Sequence, residues 1–278
     1  MTYTSLVDTS TLTAHLDDPN WVIFDCRHDL LQTDAGFNDY SNSHIPGAFF
    51  ASVDNDLAGV RNGRNGRHPL PDPNVLAEKL ARAGLAPGKQ LIAYDAQGGI
   101  FAARLWWLAR WLGHGKVAVL DGGWRAWSAE NRPCSAEFPS LQPGTLSAKV
   151  SADWVNVDYL QNNLRDLAVI DARAPDRFRG ENETLDPVGG RIPGARNRFY
   201  QNNLAPDGRF KPAEVLASEF KVVLRDTPVN KVVHSCGSGV SACHNLLAME
   251  IAAMPGSRLY PGSWSEWCAD ASRPLEKG

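Results

Sequence analysis

The stretch Cys236-Gly237-Ser238-Gly239-Val240-Ser241-Ala242-Cys243 lies between two segments of different periodicity. The apolar run Lys231 to Ser235 before it predicts a buried strand, and the segment His244 to Glu250 after it predicts a helix. Two glycines around a serine allow consecutive backbone N–H groups to turn inward, and the start of a helix presents further free donors to the same point. The loop therefore predicts an anion-binding site with Cys236 at its mouth.

The position of Cys236 favours a reactive thiol. A thiol beside inward-pointing amides loses its proton more readily than a free thiol, and the thiolate is the nucleophilic form. The alternative is a buried structural cysteine, which is the usual role of a lone cysteine at a strand end. Cys243 is interpreted as a packing residue, with a resolving cysteine in a redox pair as the alternative.

Composition excludes several classes of protein. The chain has 278 residues, 43% of them apolar and 21% charged, with a net charge of −3. These values are typical of a globular protein without membrane spans, and they give no basic surface that would hold nucleic acid. The N-terminal residues have neither the basic nor the apolar part of a signal peptide, so we expect a cytoplasmic location.

The cysteines argue against a disulfide framework and against a metal site. Their odd number and wide spacing suit a reducing compartment, and no pair has metal-ligand spacing with a nearby histidine. We therefore predict neither a metal nor a cofactor. The five cysteines are Cys26, Cys134, Cys236, Cys243 and Cys268.

The two halves of the chain share a succession of landmarks. Ala96 and Cys236 are 140 residues apart, and so are Trp124 and Trp264. Such a constant offset indicates an internal repeat. We predict an N-terminal domain over residues 1–134, a linker rich in Pro, Ser and Gly over 135–150, and a C-terminal catalytic domain over 151–278. In both, β-branched runs alternate with helical patterns, which predicts an α/β fold with a parallel sheet flanked by helices.

The duplication separates features of folding from features of chemistry. An Asp-x-Arg sequence follows the first strand of each copy, at Asp25 and at Asp171, and is predicted to form a structural ion pair or to anchor a turn. A Gly-x-Trp-x-x-Trp sequence also occurs twice, and its tryptophans are predicted to fill the core. The cysteine occurs once, since Ala96 takes its place in the first copy. The first domain is therefore predicted to be catalytically inactive.

Four parts of the second half resemble the tandem-domain rhodanese-type sulfurtransferases, and most closely the 3-mercaptopyruvate sulfurtransferase branch. They are the Cys236 loop, Asp171-Ala172-Arg173 with Arg177-Phe178-Arg179-Gly180, Ile192-Pro193-Gly194-Ala195, and Gly262-Ser263-Trp264-Ser265-Glu266-Trp267. The resemblance implies that the thiolate takes sulfur from 3-mercaptopyruvate, that pyruvate leaves, and that the persulfide passes its sulfur to a thiol acceptor or to cyanide. The groups expected to hold the persulfide are the loop amides and one hydroxyl, contributed by Gly237, Gly239, Val240 and Ser241.

The resemblance also implies cations for the substrate. Arg179 matches the arginine that binds the substrate carboxylate, and a planar guanidinium suits a carboxylate because it donates two parallel hydrogen bonds. The alternative for Arg179 is a solvated surface arginine. A second arginine usually follows in this family, but Asp186-Pro187 stands near that point here. Arg191 is the substitute that the sequence offers.

Asp54 and His68 align with an aspartate and a histidine that form a triad with the serine two residues after the cysteine, which is Ser238 here. A histidine oriented by a carboxylate lets a hydroxyl relay a proton to a substrate carbonyl or enolate. By position alone His68 would be a loop histidine. The preceding residues, Arg61 to Arg67, are interpreted as a solvated loop that would draw anions toward the site if His68 reaches it.

Other donors and functions remain as alternatives. Thiosulfate is the second candidate donor, but the thiosulfate-using branch has basic residues at the positions of Gly237 and Ser238, so the neutral loop favours mercaptopyruvate. A further alternative is a sulfur-carrying or regulatory module without turnover. A cysteine phosphatase is disfavoured, because Ala242 stands where it would need an arginine. The expected partners are a small anionic sulfur donor and a thiol acceptor, such as a small thiol or a thioredoxin-like protein, with neither nucleic acid nor membrane.

Overall fold

The computed structural model describes residues 2–278, and the chain divides into two compact units. The first comprises the residues up to Gly59, with Pro71–Ser151 and Pro206–Phe210, and the second comprises Val60–Leu70, Ala152–Ala205 and Lys211–Gly278. The segment Val60–Leu70 comes from the first half of the sequence but belongs to the second unit. His68 therefore lies in the same unit as Cys236.

The first unit is built on a five-stranded sheet in which every pair of neighbouring strands is parallel. Its strands are β1 (Leu6–Val7), β2 (Trp21–Asp25), β3 (Phe49–Phe50), β4 (Gln90–Tyr94) and β5 (Val117–Leu120), in the spatial order β1-β5-β4-β2-β3. Its helices are α1 (Thr9–Thr13), α2 (Ala35–Asn42), α3 (Pro73–Arg82), α4 (Ala102–Trp111) and α5 (Gly123–Ala129).

The second unit repeats this plan on a four-stranded parallel sheet. Its strands are β6 (Ala168–Asp171), β7 (Arg196–Asn197), β8 (Val232–Ser235) and β9 (Arg258–Leu259), in the order β7-β6-β8-β9. Its helices are α6 (Val157–Asn163), α7 (Pro175–Arg179), α8 (Ala213–Leu224), α9 (Ser241–Ile251) and α10 (Ser263–Trp267). The predicted α/β class with parallel sheets is confirmed.

Local sequence explains where helices begin and end. The Asp72 carboxylate caps the start of α3 by accepting hydrogen bonds from the N–H groups of Asn74 and Val75. Pro73, at the first helical position, further favours a helix start there. No helix or strand lies between Ala129 and Val157, which agrees with the lack of periodicity there.

Across residues 2–278, none of the helices combines the length and the apolar character needed to cross a bilayer.

The repeated Asp-x-Arg sequence forms a buried ion pair in each unit, as predicted. Arg27 Nη2 lies 2.6 Å from Asp25, and Arg173 Nη2 lies 2.8 Å from Asp171, with all four side chains almost fully buried. Each aspartate also accepts the backbone N–H of its arginine, so the buried charges are hydrogen-bonded as well as paired. The Arg173 guanidinium also lies 5.1 Å from the ring centre of Trp264, one of the repeated tryptophans.

Candidate active site

Strand β8 carries the chain to Cys236 at the carboxyl end of the sheet, and α9 begins at Ser241. The predicted order of strand, loop and helix is confirmed. All residues from 232 to 240 are buried, and Cys236 itself is only 2% exposed. The carboxyl ends of parallel strands are the usual location of sites in open α/β sheets.

The loop folds back on the sulfur of Cys236. The N–H of Gly239 donates to Sγ at 3.1 Å. Gly239 has a φ of +78°, and a β-carbon built there would lie 2.3 Å from the carbonyl oxygen of Pro261. Glycine is required at this position, since any side chain would both strain the backbone and overlap Pro261.

The turn that opens α10 holds the loop from the other side. The N–H of Trp264 donates to the carbonyl oxygen of Cys236, and the N–H of Ser265 donates to that of Gly237, both at 2.9 Å. The repeated Gly-x-Trp-x-x-Trp sequence thus does more than fill the core, although Trp264 and Trp267 are fully buried as predicted. Its backbone fixes the position of Cys236.

Ser263 completes this support. Its Oγ accepts the N–H of Cys236 at 3.0 Å and donates to the carbonyl oxygen of Tyr260 at 2.9 Å. The residue has a φ of +54°, which is uncommon for a residue with a side chain. Gly123 occupies the same place in the first copy with a φ of +53°. The backbone shape is thus common to both copies, and the hydroxyl is specific to the copy that has the cysteine.

The structure brings Ser238 and His68 together. Nδ1 of His68 lies 2.7 Å from Oγ of Ser238, and both residues are buried. A histidine in contact with this hydroxyl can accept or return its proton. Asp54, the third residue predicted for the triad, belongs to the first unit, where its Oδ2 lies 3.7 Å from Nε2 of His28.

Two arginines lie beside Gly237, the residue that follows Cys236. A methyl group added to Gly237 would lie 2.8 Å from Nη2 of Arg67 and 3.4 Å from Nη2 of Arg177. The side chains of Arg67 and Arg177 are 24% and 21% exposed, so both can reach a ligand. Arg173, at 1% exposure, is committed to its ion pair with Asp171.

Two buried carboxylates hold these arginines. Glu183 accepts a hydrogen bond from Arg177 Nη2 at 2.7 Å, and Asp186 accepts one from Arg67 Nη1. Asp186 Oδ2 also lies 3.8 Å from Arg177 Nη2, and both carboxylate side chains are 3% exposed. The acidic residue at the point where the family has an arginine thus binds an arginine from another loop.

Burial and charge act in opposite directions on these acids. Burial by itself would raise the pKa of Glu183, but hydrogen bonds from Arg177 and from backbone amides outweigh it, and this pKa is lowered. For Asp186 burial prevails over the attraction of Arg67, and its pKa is raised. Glu183 is therefore the more firmly ionised of the two.

Arg179 and Arg191 have other partners. Arg179 is 43% exposed, and its Nε and Nη2 both donate to Glu181 at 2.7 Å. Arg191 donates to the carbonyl oxygen of Gly278 and lies 3.3 Å from Glu276. Residues two apart on a helical turn point in different directions, which is why Arg177 reaches the loop while Arg179 meets Glu181.

Three of the other four thiols, those of Cys26, Cys243 and Cys268, are poor competitors for Cys236, whereas Cys134 is exposed. Cys243 is fully buried and its Sγ donates to the carbonyl oxygen of Gly239, as expected of a packing residue. Burial raises the pKa of the Cys26 thiol, and burial with nearby Asp186 raises that of Cys268 to about 11. Among residues 2–278 all five cysteines are free, and the described side chains form no cluster of metal-ligand type.

In the first unit the side chain of Asp95 fills the loop that is equivalent to the Cys236 loop. Ala96 stands in place of the cysteine, and the preceding carboxylate, that of Asp95, turns into the loop. It accepts the backbone N–H groups of Gln97, Gly99, Phe101 and Ala102 at 2.8–2.9 Å. Burial nevertheless raises the pKa of Asp95, since it outweighs these four hydrogen bonds. The first loop thus has no cysteine, and four of its backbone N–H groups already donate to Asp95.

Sequence reasoning missed four residues that shape this site: Arg67, Arg177, Asp186 and Ser263. Two signals could have found the first and third. Arg67 directly precedes the histidine of the predicted triad, and an acid at Asp186 in place of an expected arginine predicts a cation from elsewhere. The roles of Arg177 and Ser263 depend on helix direction and on backbone hydrogen bonds that the sequence does not display.

Comparison with known proteins places this geometry in a family. The sequence model of the family of rhodanese-like domains matches this chain twice, over residues 8–130 and 156–270. A Pseudomonas aeruginosa protein named "Probable 3-mercaptopyruvate sulfurtransferase" is 46% identical over 283 residues, covering 100% of both chains. A Mycobacterium tuberculosis protein named "Putative thiosulfate sulfurtransferase SseB" is 33% identical over 92% of this chain and 90% of its own.

A solved structure agrees with these relatives. The 3-mercaptopyruvate sulfurtransferase from Leishmania major superimposes with a TM-score of 0.85 at 30% identity, covering 95% of this chain and 74% of its own. The resemblance noted from the Cys236 loop and its companions is therefore confirmed over nearly the whole sequence. The chain belongs to the rhodanese family and carries two rhodanese-like domains.

Proposed function

We propose that this protein is a sulfurtransferase that moves sulfane sulfur from 3-mercaptopyruvate, through a persulfide on Cys236, to a thiol acceptor or cyanide. The observation that carries the proposal is the meeting of three groups at one loop. They are the thiol that receives the Gly239 N–H, the Ser238 hydroxyl in contact with His68, and the Arg177 guanidinium beside Gly237. The name of the Pseudomonas aeruginosa relative supports the donor.

In the first step the Cys236 thiolate attacks the sulfur of mercaptopyruvate. An S–S bond forms, the carbon–sulfur bond breaks, and its electron pair passes into the enolate of pyruvate. Ser238, with its proton supplied through His68, stabilises the enolate oxygen and returns a proton as pyruvate leaves. The amides of Gly237, Gly239 and Val240, with the Ser241 hydroxyl, hold the persulfide.

In the second step an acceptor thiolate attacks the outer sulfur of the persulfide. The S–S bond to Cys236 breaks, the thiolate is restored, and the acceptor leaves as a persulfide, or as thiocyanate when cyanide attacks. We propose a small thiol or a thioredoxin-like protein as acceptor, in a reducing cytoplasmic compartment. Free thiols at all five cysteines support this compartment.

We assign the substrate carboxylate to Arg177 in place of Arg179. Arg177 approaches Gly237 and is partly exposed, whereas the donor groups of Arg179 face Glu181. We propose that Arg191 anchors the C-terminal segment, because it contacts Glu276 and Gly278. Asp54 is kept as the third member of the triad on the strength of the resemblance.

Thiosulfate is the second candidate donor, and one observation favours it. Gly237 and Ser238 offer no charge, but Arg67 and Arg177 bring two cations to the same place. The lack of charge on Gly237 and Ser238 therefore disfavours the thiosulfate dianion less than the loop sequence alone indicates. A relative named for thiosulfate is consistent with this candidate.

The test is a side-by-side measurement of kcat/KM with mercaptopyruvate and thiosulfate, together with mass spectrometry after donor treatment. We expect mercaptopyruvate to have the higher value and one added sulfur on Cys236. Cys236→Ser is expected to abolish transfer, because a serine hydroxyl is a far weaker nucleophile toward sulfur. Sulfur found on Cys268, or turnover kept by the variant, would refute the mechanism, and a preference for thiosulfate would refute the donor.

A further inference from the structure

We propose that Arg67 is a second carboxylate-binding residue of this site and that Asp186 is its positioning residue. The inference rests on the proposed function, because it needs a carboxylate-bearing donor. It also accounts for the acid found where a second arginine was expected: the cation comes from the 60–70 segment, and the acid holds it.

The backbone of Arg67 is fixed relative to the nucleophile. Its N–H donates to Ser265 Oγ at 2.9 Å, and Ser265 in turn donates its own N–H to the carbonyl oxygen of Gly237. Gly66 packs so closely on the same turn that a β-carbon there would lie 2.7 Å from the carbonyl oxygen of Gly262. One turn therefore holds both the cysteine loop and the arginine segment.

The side chain of Arg67 has one committed edge and one available edge. Nη1 donates to the buried Asp186 carboxylate, which fixes the plane of the guanidinium. Nη2 approaches Gly237, on the side where Arg177 Nη2 also approaches. A guanidinium oriented in this way can donate to a carboxylate oxygen without first losing rotational freedom.

Two like charges at one point favour an anion between them. Arg67 and Arg177 are both partly exposed there, while the acids that balance them, Asp186 and Glu183, are buried behind. Arg191, the substitute that the sequence offers, contacts the C-terminal residues instead. Arg67 is thus the second cation whose position suits the substrate.

Carboxylate recognition can be measured at Cys236 without any sulfur donor. Iodoacetate and iodoacetamide react at the same carbon: the thiolate sulfur forms the new bond and iodide leaves. The reagents differ in bearing a carboxylate or a neutral amide, so the ratio of their rates reports cations beside the sulfur. Alkylation is followed by mass spectrometry of the peptide that contains Cys236.

The test variants are Arg67→Ala and Arg67→Lys, and the control is Arg64→Ala. Arg64 is an exposed arginine of the same segment, so its removal changes the net charge equally. In Arg67→Ala we expect the iodoacetate to iodoacetamide ratio to fall roughly tenfold to 100-fold, the worth of a charge-assisted hydrogen bond. Arg67→Lys should recover part of the ratio, and Arg64→Ala should change it less than about twofold, as a screened surface charge does.

Steady-state kinetics give the second readout. In Arg67→Ala the KM for mercaptopyruvate should rise by a similar factor with kcat less affected, since a binding contact is lost. Asp186→Asn should show a smaller change in the same direction, because it frees the guanidinium without removing it.

The possible failures are distinguishable. An unchanged alkylation ratio in Arg67→Ala overturns the inference even if mercaptopyruvate is turned over. Equal loss of both alkylation rates also overturns it, since Arg67 would then support the loop and not the carboxylate. If the parent enzyme does not use mercaptopyruvate, the proposed donor fails, while the alkylation ratio still decides the role of Arg67.

Discussion

Replacing Gly239 by alanine should destabilise the second unit and disturb the thiol together. A residue with a side chain at φ +78° costs about 1–2 kcal/mol. The new β-carbon would lie 2.3 Å from the carbonyl oxygen of Pro261, and overpacking of this kind costs about 1–3 kcal/mol more. We expect a total loss of about 2–5 kcal/mol in the free energy of unfolding. The displaced N–H would also leave Cys236 Sγ, so alkylation at fixed pH should slow.

Gly194→Ala is the matched control. Gly194 has a φ of +73°, but nothing lies within 4 Å of the β-carbon that would be added. It should therefore show the backbone strain of about 1–2 kcal/mol without the overlap. The difference between the two variants isolates the contact with Pro261.

The assay should report on the second unit alone, since a chain of two units need not unfold in one step. Cys243 is fully buried, and pulsed thiol labelling of its peptide in increasing urea follows the opening of this unit. The reasoning fails if Gly239→Ala shifts the labelling midpoint no further than Gly194→Ala, or if Cys236 reacts at the parent rate.

Three further predictions concern single side chains. His68→Ala should lower kcat with mercaptopyruvate far more than it lowers the urea midpoint, and equal kinetics of variant and parent would mean that the contact with Ser238 has no part in turnover. In Gly237→Ala the new methyl group meets the side-chain ends of Arg67 and Arg177 before any backbone atom, so KM should rise while the free energy of unfolding stays within about 0.5 kcal/mol of the parent. An unchanged KM would contradict this placement of the two arginines. Folding lowers the pKa of Glu183, so the ionised carboxylate stabilises the folded protein at pH values above the ordinary glutamate pKa of 4.5. This stabilisation is lost as the pH falls through the pKa that Glu183 has in the folded protein. Glu183→Gln should therefore be less stable at neutral pH and show a flatter loss of stability in acid, measured by urea unfolding at several pH values.

The sequence was sufficient for the fold because its signals are local. Runs of β-branched residues and the glycine-rich loop around Cys236 each depend on neighbouring residues, the 140-residue repeat is visible by comparing the two halves of the sequence, and the two parallel sheets agree with these signals. The ion pairs at Asp25 and Asp171 were also predictable, because each spans only two residues.

The rest of the site depends on distant contacts. Arg67 and Asp186 are 119 residues apart, and no local pattern states that their segments meet. The choice of Arg177 over Arg179 depends on which side of a single helical turn faces the loop. The support from Ser263 depends on a backbone conformation shared with Gly123, which becomes visible only in three dimensions.

Because Asp95 fills the loop of the first copy, the stabilities of the two copies are expected to depend differently on ligand concentration. The first copy has the Asp95 carboxylate of its own chain among its loop amides, so these amides need no anion from solution. In the proposed mechanism the corresponding amides of the second copy bind a sulfur species that is present only during turnover. By linkage, a ligand that binds only the folded form adds about 2.7 kcal/mol of stability at 100 times its Kd. The half that contains Cys236 is thus expected to become more resistant to unfolding as donor accumulates, while the stability of the first half stays unchanged.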